Sequence, residues 1–385
     1  MRKFRKFRKE TVNENFVIAR WADKKKLPLY RGKTINWYRE FPLDFTTTPI
    51  PEGSATAGQI DFTGQNVEAT VDKYAEWFKV TKRLKMTGRD PELKSRTKSL
   101  GVAAAHSIDR LLMEEVIKNG SIPIRVDELN KDDSFTQEGV IDTSTGNNSV
   151  TFVDASLNET TNNYWAGGHF AVWYPKGTNY GHGSQVSTFT AASDSIVLSN
   201  PAKASYDNTS RYRLVVGTDL SASNVLTGAA VKYATSRARE WKFWPWPGGY
   251  FRIAYGPQVE SDLLDDTVYD RTPDWVGDEI RAGLVKKLWG VEFYRITDPY
   301  REDVDGTQND DGVVFCTPLM GQHAIGIVDL AGNSEPKIVI RIPGSQTVSE
   351  PHGENCTMGY VFYMAAKGLN AAFAINIMSG ASGVS

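Results

Sequence analysis

Alternating apolar and polar residues predict a long β-hairpin near the start of the chain. Residues 34–41 form one candidate limb, and residues 67–72 alternate strictly between apolar and polar side chains, as a half-buried strand does. The prolines and glycine of residues 48–53 would interrupt pairing and form the tip. A hairpin of this length cannot bury both of its faces alone. It therefore predicts contact with another surface, which in a homo-oligomer can be a neighbouring copy.

Helical spacing follows directly after this hairpin. Asp90 is a suitable N-cap, Pro91 suits the first helical position, and Asn119-Gly120 supplies a stop. Between them, apolar residues recur at helical intervals: Leu93, Leu100, Ala104, Ile108, Leu111, Leu112 and Val116. The pattern predicts one helix over residues 91–118, about 42 Å long.

The pattern changes again at residues 135–222, where Ser, Thr, Asn and Gly dominate. Short β-like runs at 149–153, 169–174 and 212–216 predict a small all-β domain inserted into the chain. Beyond it, helical and strand patterns mix, so the fold class is α+β. Helices are expected at 224–240, 258–264 and 275–287. Strands are expected at 250–255, 289–297, 313–315, 336–342 and 360–378, the last interrupted at Lys367-Gly368.

Composition and charge refine this interpretation at the N-terminus. Hydrophobic residues make up 40% and charged residues 23% of the 385 residues, as in a folded protein, and the net charge is only −2. The positive charges of the predicted arm, residues 1–30, are concentrated at its start, on Arg2, Lys3, Arg5, Lys6, Arg8 and Lys9. These side chains could contact nucleic-acid phosphates, or form a solvated tail, or dock on an acidic neighbour. The sequence leaves these alternatives open.

Motifs for catalysis or cofactor binding are absent from the sequence. It contains no phosphate-binding loop, dinucleotide fingerprint, zinc-protease motif or nucleophile elbow. The five histidines are isolated from one another, and the cysteines, Cys316 and Cys356, are expected to be packed thiols. There is no secretory signal and no apolar run long enough to span a membrane. We therefore expect no enzyme, no cofactor, no metal and no membrane association.

Three local features of the sequence are candidate binding sites. The acidic segment 303–311 could hold Ca²⁺, but lacks the closing Glu of an EF-hand, so a solvated loop is favoured. The aromatic segment 241–250 could stack sugars or bases, but its alternating prolines favour a stiff, packed connector. The inserted domain could bind glycans through exposed aromatic side chains, with these candidates: Trp165, Phe170, Trp173 and Tyr174.

A family resemblance emerges from the order of these parts: basic arm, long hairpin, long helix, mixed α/β unit and closing strands. The segments that carry it are residues 33–37, 48–53, 71–81, 107–110, 255–263, 289–293, 321–326 and 358–372. In their order and spacing they resemble the major capsid proteins of tailed phages, which have the Hong Kong 97-type fold. Among these, the chain is most similar to the N-four-like podophage proteins. Residues 135–222 depart from the family pattern.

The resemblance implies a division of the chain into an N-terminal arm, an extended hairpin loop, a peripheral domain with its spine helix, an inserted β-rich domain, an axial domain and closing strands. The corresponding ranges are 1–30, 31–85, 86–134, 135–222, 223–330 and 331–385. The inserted domain is expected on the outer face. The hairpin tip is expected to contact a neighbouring subunit through Thr48, Pro49, Ile50, Pro51, Glu52 and Gly53.

The resemblance also implies partners and a location. Copies would assemble in the bacterial cytoplasm into hexamers and pentamers of the icosahedral virion shell, which holds double-stranded DNA non-specifically. A separate scaffolding protein, a portal and possible decoration proteins are expected partners. Because few residues precede the hairpin, we expect no fused scaffold segment and no N-terminal trimming. Two alternatives are an encapsulin-like shell and a glycan-binding or adhesive surface protein.

Overall fold

The computed structural model describes residues 17–40, 49, 52, 64–81, 91–130, 136–173, 179–218, 220–266, 287–309, 311–330, 336–341 and 355–382. Its α-helices are α1 (Pro91–Asn119), α2 (Gly228–Glu240) and α3 (Pro257–Leu264). Its strands in the first half are β1 (Asp23–Leu27), β2 (Thr34–Glu40), β3 (Gly64–Thr70), β4 (Asp72–Thr81), β5 (Ile122–Arg125), β6 (Thr136–Val140), β7 (Thr151–Val153), β8 (His169–Val172), β9 (Gly183–Thr190) and β10 (Ser195–Leu198). Those in the second half are β11 (Arg211–Val215), β12 (Phe251–Tyr255), β13 (Lys287–Leu288), β14 (Val291–Arg295), β15 (Arg301–Glu302), β16 (Val314–Met320), β17 (Ile325–Leu330), β18 (Lys337–Arg341), β19 (Asn355–Gly368) and β20 (Ala374–Ser379).

Helix α1 is the spine of the molecule, and it matches the predicted helix to within one residue at its end. Its buried side chains repeat every four residues: Leu100, Ala104, Ile108, Leu112 and Val116. This stripe belongs to one hydrophobic core with residues of β19 and with residues of β16 and β20. The helix ends where the amide of Gly120 donates to the carbonyl of Val116 at 3.0 Å. The spine therefore holds two sheets together.

A five-stranded sheet runs along one side of this spine. The central strand is β19, with β17 and β18 along one edge and β4 along the other, while β1 pairs in parallel with β17. Side chains of β19 that face the helix are apolar or aromatic, including Met358, Tyr360, Phe362 and Met364. Strand β4 therefore extends from the predicted hairpin segment into the body of the molecule.

A seven-stranded sheet lies on the other side. Its order is β13–β14–β12–β16–β20–β5, with β15 added at one end of β16. Helices α2 and α3 pack on the face turned away from the spine, and a core of 29 buried residues fills this region. Thr227 caps α2 by accepting from the amide of Ala230 at 3.2 Å, so the helix begins later than the predicted residue 224.

A six-stranded sheet is built entirely from strands between residues 136 and 215, in the order β6–β11–β8–β9–β10–β7. All of its pairings are antiparallel. It has a hydrophobic core of its own, rich in aromatic side chains such as Phe152, Phe170, Tyr206 and Tyr212. Short strands with turn-forming residues between them thus build a self-contained layer here.

Two buried arginines join the six-stranded sheet to the seven-stranded sheet. Arg125, at the end of β5, forms two hydrogen bonds with Asp127 and donates to the carbonyls of Val216 and Thr218 at 2.7 Å each. Arg213 on β11 donates to the carbonyl of Pro123 at 2.6 Å and forms ion pairs with two glutamates, Glu128 and Glu138. Removing one partner of such a pair leaves an uncompensated buried charge, so both joints are costly to break.

The described part of the predicted N-terminal arm, residues 1–30, packs on the body of the molecule. Ile18 and Trp21 are buried against the spine, and residues 23–27 form β1. The apolar side chains of residues 17–22 are the reason, because they gain more from burial than from exposure. The predicted helix at 275–287 lies outside the described residues except for Lys287, which begins β13. None of the helices in the described segments has the length and apolar composition needed to cross a membrane.

Candidate functional site

The hairpin β2–β3 has one packed face and one open face. Ile35 opposes Ala69, and Trp37 opposes Val67, so these four side chains share the packed face. Ile35, Trp37 and Ala69 contact the five-stranded sheet through a small core that includes Leu27, Val71, Val328 and Ala365. The opposite face carries Tyr38, which is 57% exposed. One face of the hairpin β2–β3 thus packs on its own chain, while the opposite face is exposed.

Contacts with the loop between β8 and β9 of the six-stranded sheet fix the orientation of the hairpin. Arg39 donates to the carbonyl of Tyr180 at 3.0 Å, and Gln65 Nε2 donates to Asn179 Oδ1 at 3.1 Å. Burial lowers the pKa of Arg39 to about 10, which leaves the guanidinium charged at neutral pH. The hairpin therefore leaves the body in a direction set by two sheets.

The predicted tip falls mostly outside the described residues. Of its six residues, Pro49 and Glu52 are described, and both are exposed. Thr48, Ile50, Pro51 and Gly53 lie outside the described part of the chain. Contact of the tip with a neighbouring subunit stays a prediction.

A second open surface lies on the five-stranded sheet, on the face turned away from the spine. Trp77 on β4 and Val339 on β18 both pair with Gly359 on β19, so the three residues form one row across the sheet. Trp77 is 65% exposed and Val339 is 57% exposed. We call these three residues the Trp77 row. Large apolar side chains exposed side by side are typical of a surface that another protein covers.

The basic residues of the arm, Arg2 through Lys9, also lie outside the described residues. The point where the arm meets the body is described. The carboxylate of Asp109 on α1 accepts from the amides of Val17 at 2.8 Å and Ala19 at 3.2 Å. Burial raises the pKa of Asp109, although these backbone hydrogen bonds oppose the rise. The spine helix thus fixes the position from which the basic arm departs.

The aromatic segment 241–250 is a packed connector. Trp241 and Phe243 are buried in the core beside the seven-stranded sheet. Trp246 donates from its indole nitrogen to the carbonyl of Met320 at 3.3 Å, and the Arg252 guanidinium lies 4.1 Å from its ring. Trp244 is exposed but stacks on Phe373. This arrangement favours the structural role over a binding platform.

The acidic segment 303–311 is a hydrogen-bonded turn at the edge of the molecule. Both carboxylate oxygens of Asp303 accept from the Asn309 amide, and Asp305 accepts from the amide of Thr307 at 2.8 Å. The side chain of Asn309 in turn accepts from the amide of Asp311 at 3.0 Å. Asp310 lies outside the described residues. The carboxylates of Asp303 and Asp305 are therefore engaged within the loop.

The described aromatic residues of the glycan-binding hypothesis are packed inside the protein. Trp165 and Phe170 are buried in the core of the six-stranded sheet, and Trp173 packs against Trp241 with 5.2 Å between ring centroids. Tyr174 lies outside the described residues. Trp165, Phe170 and Trp173 pack internally because a small sheet needs large apolar side chains to build a core. These three described side chains do not form an exposed platform for a sugar.

One cluster of potential metal ligands was not predicted from the sequence. His169, Glu302 and Cys316 are all buried, and each offers one ligand atom within 4.8 Å of the others. His169 Nε2 lies 2.8 Å from Glu302 Oε2, and its Nδ1 lies 3.1 Å from the carbonyl of Ile117. Residues so distant along the chain leave no local motif, so only the fold brings them together.

The charges in this cluster influence each other. Burial alone would lower the pKa of His169, but the charge of Glu302 and its hydrogen bond outweigh burial and raise it. Burial raises the pKa of the Cys316 thiol well above its ordinary value, and Glu302 adds to the rise. The described part of the chain contains no other group of three such ligands.

Comparison with known proteins identifies the fold. No protein-family model matches the sequence, and no curated protein matches it. Three solved phage capsids are similar in structure. The capsid of cyanophage P-SCSP1u matches with a TM-score of 0.51 and 12% identity, over 95% of this chain and 89% of that chain. The capsid of cyanophage Pam1 matches with a TM-score of 0.52 and 12% identity, over 91% and 86%. The capsid of Ralstonia phage GP4 matches with a TM-score of 0.52 and 13% identity, over 94% and 87%.

These matches cover nearly the whole of each chain. The described structure, with few helices and many strands, therefore has the mixed α/β fold of phage capsid chains.

Proposed function

We propose that this chain is the major capsid protein of a tailed bacteriophage and that its copies form the icosahedral shell around double-stranded DNA. The observation that carries the proposal is the fold shared with phage capsids over more than nine-tenths of the chain. The role is structural rather than catalytic. The site of action of the protein is then the virion, after assembly in the bacterial cytoplasm.

The two open surfaces support assembly from copies of the same chain. The hairpin β2–β3 leaves one face uncovered, and the Trp77 row exposes two large apolar side chains on a sheet. Covering one such side chain contributes about 1.5–3 kcal/mol, and a shell repeats every contact many times. A stable protein–protein interface therefore needs only a small buried area on each subunit.

In finer detail, we assign the parts of the Hong Kong 97-type fold as the resemblance implies. Residues 31–85 would contain the extended loop, α1 the spine of the peripheral domain, and the seven-stranded sheet most of the axial domain. The six-stranded sheet corresponds to the inserted domain, which we place on the outer face. Within this scheme we assign the chain to the N-four-like podophage group, with hexamers and pentamers as capsomers.

The partners follow from the same proposal. A separate scaffolding protein would guide assembly, a portal would occupy one vertex, and a decoration protein could bind outside. The basic arm would face inward, where its six positive charges can neutralise DNA phosphates without reading the sequence. Asp109 fixes the start of this arm against the spine.

Electron microscopy of the expressed full-length chain tests the proposal directly. With the scaffolding protein of the same phage supplied, we expect closed icosahedral particles. A chain that stays monomeric under these conditions would contradict the shell function. Particles that contain a cargo protein and never DNA would favour the encapsulin-like alternative.

A matched pair of variants makes the test sharper. Trp77→Ser removes the largest side chain of the Trp77 row, and we expect it to reduce particle yield. Val140→Ser changes an exposed apolar residue of β6 in the six-stranded sheet, and we expect normal yield. Equal yields from both variants would remove the Trp77 row from the assembly interface.

A further inference from the structure

The buried cluster of His169, Glu302 and Cys316 lies at the meeting point of the three main parts of the fold. His169 begins β8 of the six-stranded sheet, while Glu302 and Cys316 belong to β15 and β16 of the seven-stranded sheet. Ile117, whose carbonyl faces the imidazole, belongs to the spine helix. His169 and Cys316 are 2% exposed and Glu302 is 0% exposed. A group bound here would tie all three parts together.

The hydrogen bonds of the imidazole define where its lone pair points. A backbone carbonyl can only accept, so Nδ1 of His169 carries the proton that it donates to Ile117. In the neutral ring, Nε2 then presents a lone pair to Glu302 Oε2 at 2.8 Å. Two acceptors at this distance need a proton or a cation between them. Metal-bound histidines typically have this arrangement, with the second ring nitrogen donating to a carbonyl.

Unsatisfied polar atoms surround the same point. Oε1 of Glu302 and Oδ1 of Asn376 form no hydrogen bond with any described residue. Asn376 lies on β20 next to the Cys316 thiol, which it can support as a hydrogen-bond donor. A buried polar group without a hydrogen-bond partner raises the free energy of the folded state. A bound ion would remove this penalty.

We propose that His169 Nε2, Glu302 and Cys316 Sγ bind a zinc-type divalent transition metal ion. Nitrogen, sulfur and carboxylate oxygen are the donors that Zn²⁺ takes in proteins. A thiolate and a carboxylate balance the charge of the ion, so the buried complex is neutral. A thiolate ligand also disfavours Mg²⁺ and Ca²⁺, which prefer oxygen.

The fourth position of a tetrahedral site remains for one more oxygen. It is supplied by a water molecule or by Oδ1 of Asn376, which has no other partner among the described residues. The inference does not depend on the shell function, because it rests on the interior of a single chain. Its structural consequence is a brace between the spine and the two sheets.

Metal analysis of the full-length chain tests the proposal. The protein is produced in medium with added Zn²⁺ and dialysed against metal-free buffer, and its zinc content is measured by mass spectrometry. We expect about one zinc ion per chain, as in a structural site. A second preparation made with Co²⁺ should show the absorption band of a thiolate–cobalt bond. Absence of both signals from the folded wild-type chain would overturn the proposal in favour of a simple His–Glu hydrogen bond.

Matched variants identify the ligands. Cys316→Ser should lose the thiolate–cobalt band and most of the zinc, whereas Cys356→Ser should keep both. Glu302→Gln retains the size of the side chain but loses its charge, so it reports on the site if Cys316→Ser fails to fold. Circular dichroism checks folding for each variant. Equal zinc content and an unchanged band in folded Cys316→Ser or Glu302→Gln would also overturn the proposal.

Discussion

The six-stranded sheet turns its large aromatic side chains inward, whereas the hairpin β2–β3 and the Trp77 row keep aromatic side chains on open faces. In the first region, Phe152 packs against three aromatic rings at centroid distances of 5.0–5.6 Å. In the second, Tyr38 and Trp77 are more than half exposed. The same chemical class of residue thus serves folding in one region and is available for contact with another molecule in the other.

This difference indicates which part of the chain depends on neighbours. A sheet with its own core gains its stability within one subunit. A sheet with an uncovered apolar face gains part of its stability only in an assembly. Substitutions of the same kind should therefore act differently in the two regions. In the six-stranded sheet they should mainly reduce folding stability, and on the open faces they should mainly reduce assembly.

The largest effect on folding is expected from Phe152→Ala. Phe152 is fully buried, so its truncation removes apolar contacts and leaves a cavity. We expect the free energy of unfolding to fall by about 3–5 kcal/mol. Urea denaturation followed by tryptophan fluorescence measures it. A loss below about 1 kcal/mol would mean that the aromatic core of this sheet is not tightly packed.

A smaller effect is expected from Tyr212→Phe, which removes one hydroxyl from the same core. This hydroxyl donates to Asp154 Oδ2 at 2.5 Å in a buried position. Loss of the donor leaves a buried carboxylate oxygen less satisfied, at a cost of about 1–3 kcal/mol. The matched change Tyr38→Phe on the open face of the hairpin should cost less than about 0.5 kcal/mol. If urea denaturation shows equal losses of unfolding free energy for the two variants, the two regions do not differ in how their tyrosines stabilise the fold.

Acid should weaken the six-stranded region through His182. Burial lowers the pKa of this side chain to about 3, with Arg39 and Lys367 as nearby positive charges and the Asn200 carbonyl opposing the fall. The unfolded chain, with an ordinary histidine pKa near 6.5, therefore binds the proton more readily than the folded chain. The contribution of neutral His182 to stability is present above the unfolded pKa and is lost as pH falls toward the folded value.

We expect His182 to contribute a loss of about 1 kcal/mol in unfolding free energy between pH 6 and pH 5. Comparison with His182→Asn in urea denaturation at both pH values isolates this contribution from that of the carboxylates. An identical slope in wild type and His182→Asn would contradict the expected proton linkage.

The smallest effect on folding is expected from Trp77→Ala. Trp77 is largely exposed, so the unfolding free energy of the isolated chain should change by less than about 1 kcal/mol. Its effect should instead appear in particle yield, as for Trp77→Ser. A large loss of stability in the isolated chain would show that the Trp77 row serves folding rather than assembly.

Local sequence patterns were sufficient to predict elements whose pattern repeats over many residues. The spine helix was found because apolar residues recur every three or four positions from Leu93 to Val116. The returning limb of the hairpin was predicted from alternation, and the observed strands β2 and β3 overlap the two predicted limbs. Such signals depend only on neighbours in sequence.

Long-range pairing could not be predicted in the same way. Strand β1 pairs with β17, and Asp23 opposes Gly326 across most of the chain length. A polar strand such as Asp-Lys-Lys-Lys-Leu has no local alternation that points to this partner. The packed segment around Ile18 and Trp21 did carry a signal, namely the apolar residues Val17, Ile18, Ala19, Trp21 and Ala22. The prediction of an arm over residues 1–30 did not use this signal.

The candidate sites show the same limit. The capsid fold could be predicted from the order of elements, and structural comparison supports it over nearly the whole chain. His169 and Glu302 are separated by 133 positions in the sequence. Each was an ordinary polar residue when considered alone. Only the packing of β8 against β15 and β16 creates a place where an ion could bind.

The pairing of β4 with β19 has a mechanical consequence. Ten residues of β4 are in register with β19, and β4 follows β3 of the hairpin after the single residue Val71. Bonds between antiparallel strands lie perpendicular to the strands. Tension applied to the hairpin along the axis of β4 would therefore shear all ten pairs together instead of opening them one at a time. In a shell under internal pressure, this geometry would make β4 a tether that resists sliding up to a single rupture force.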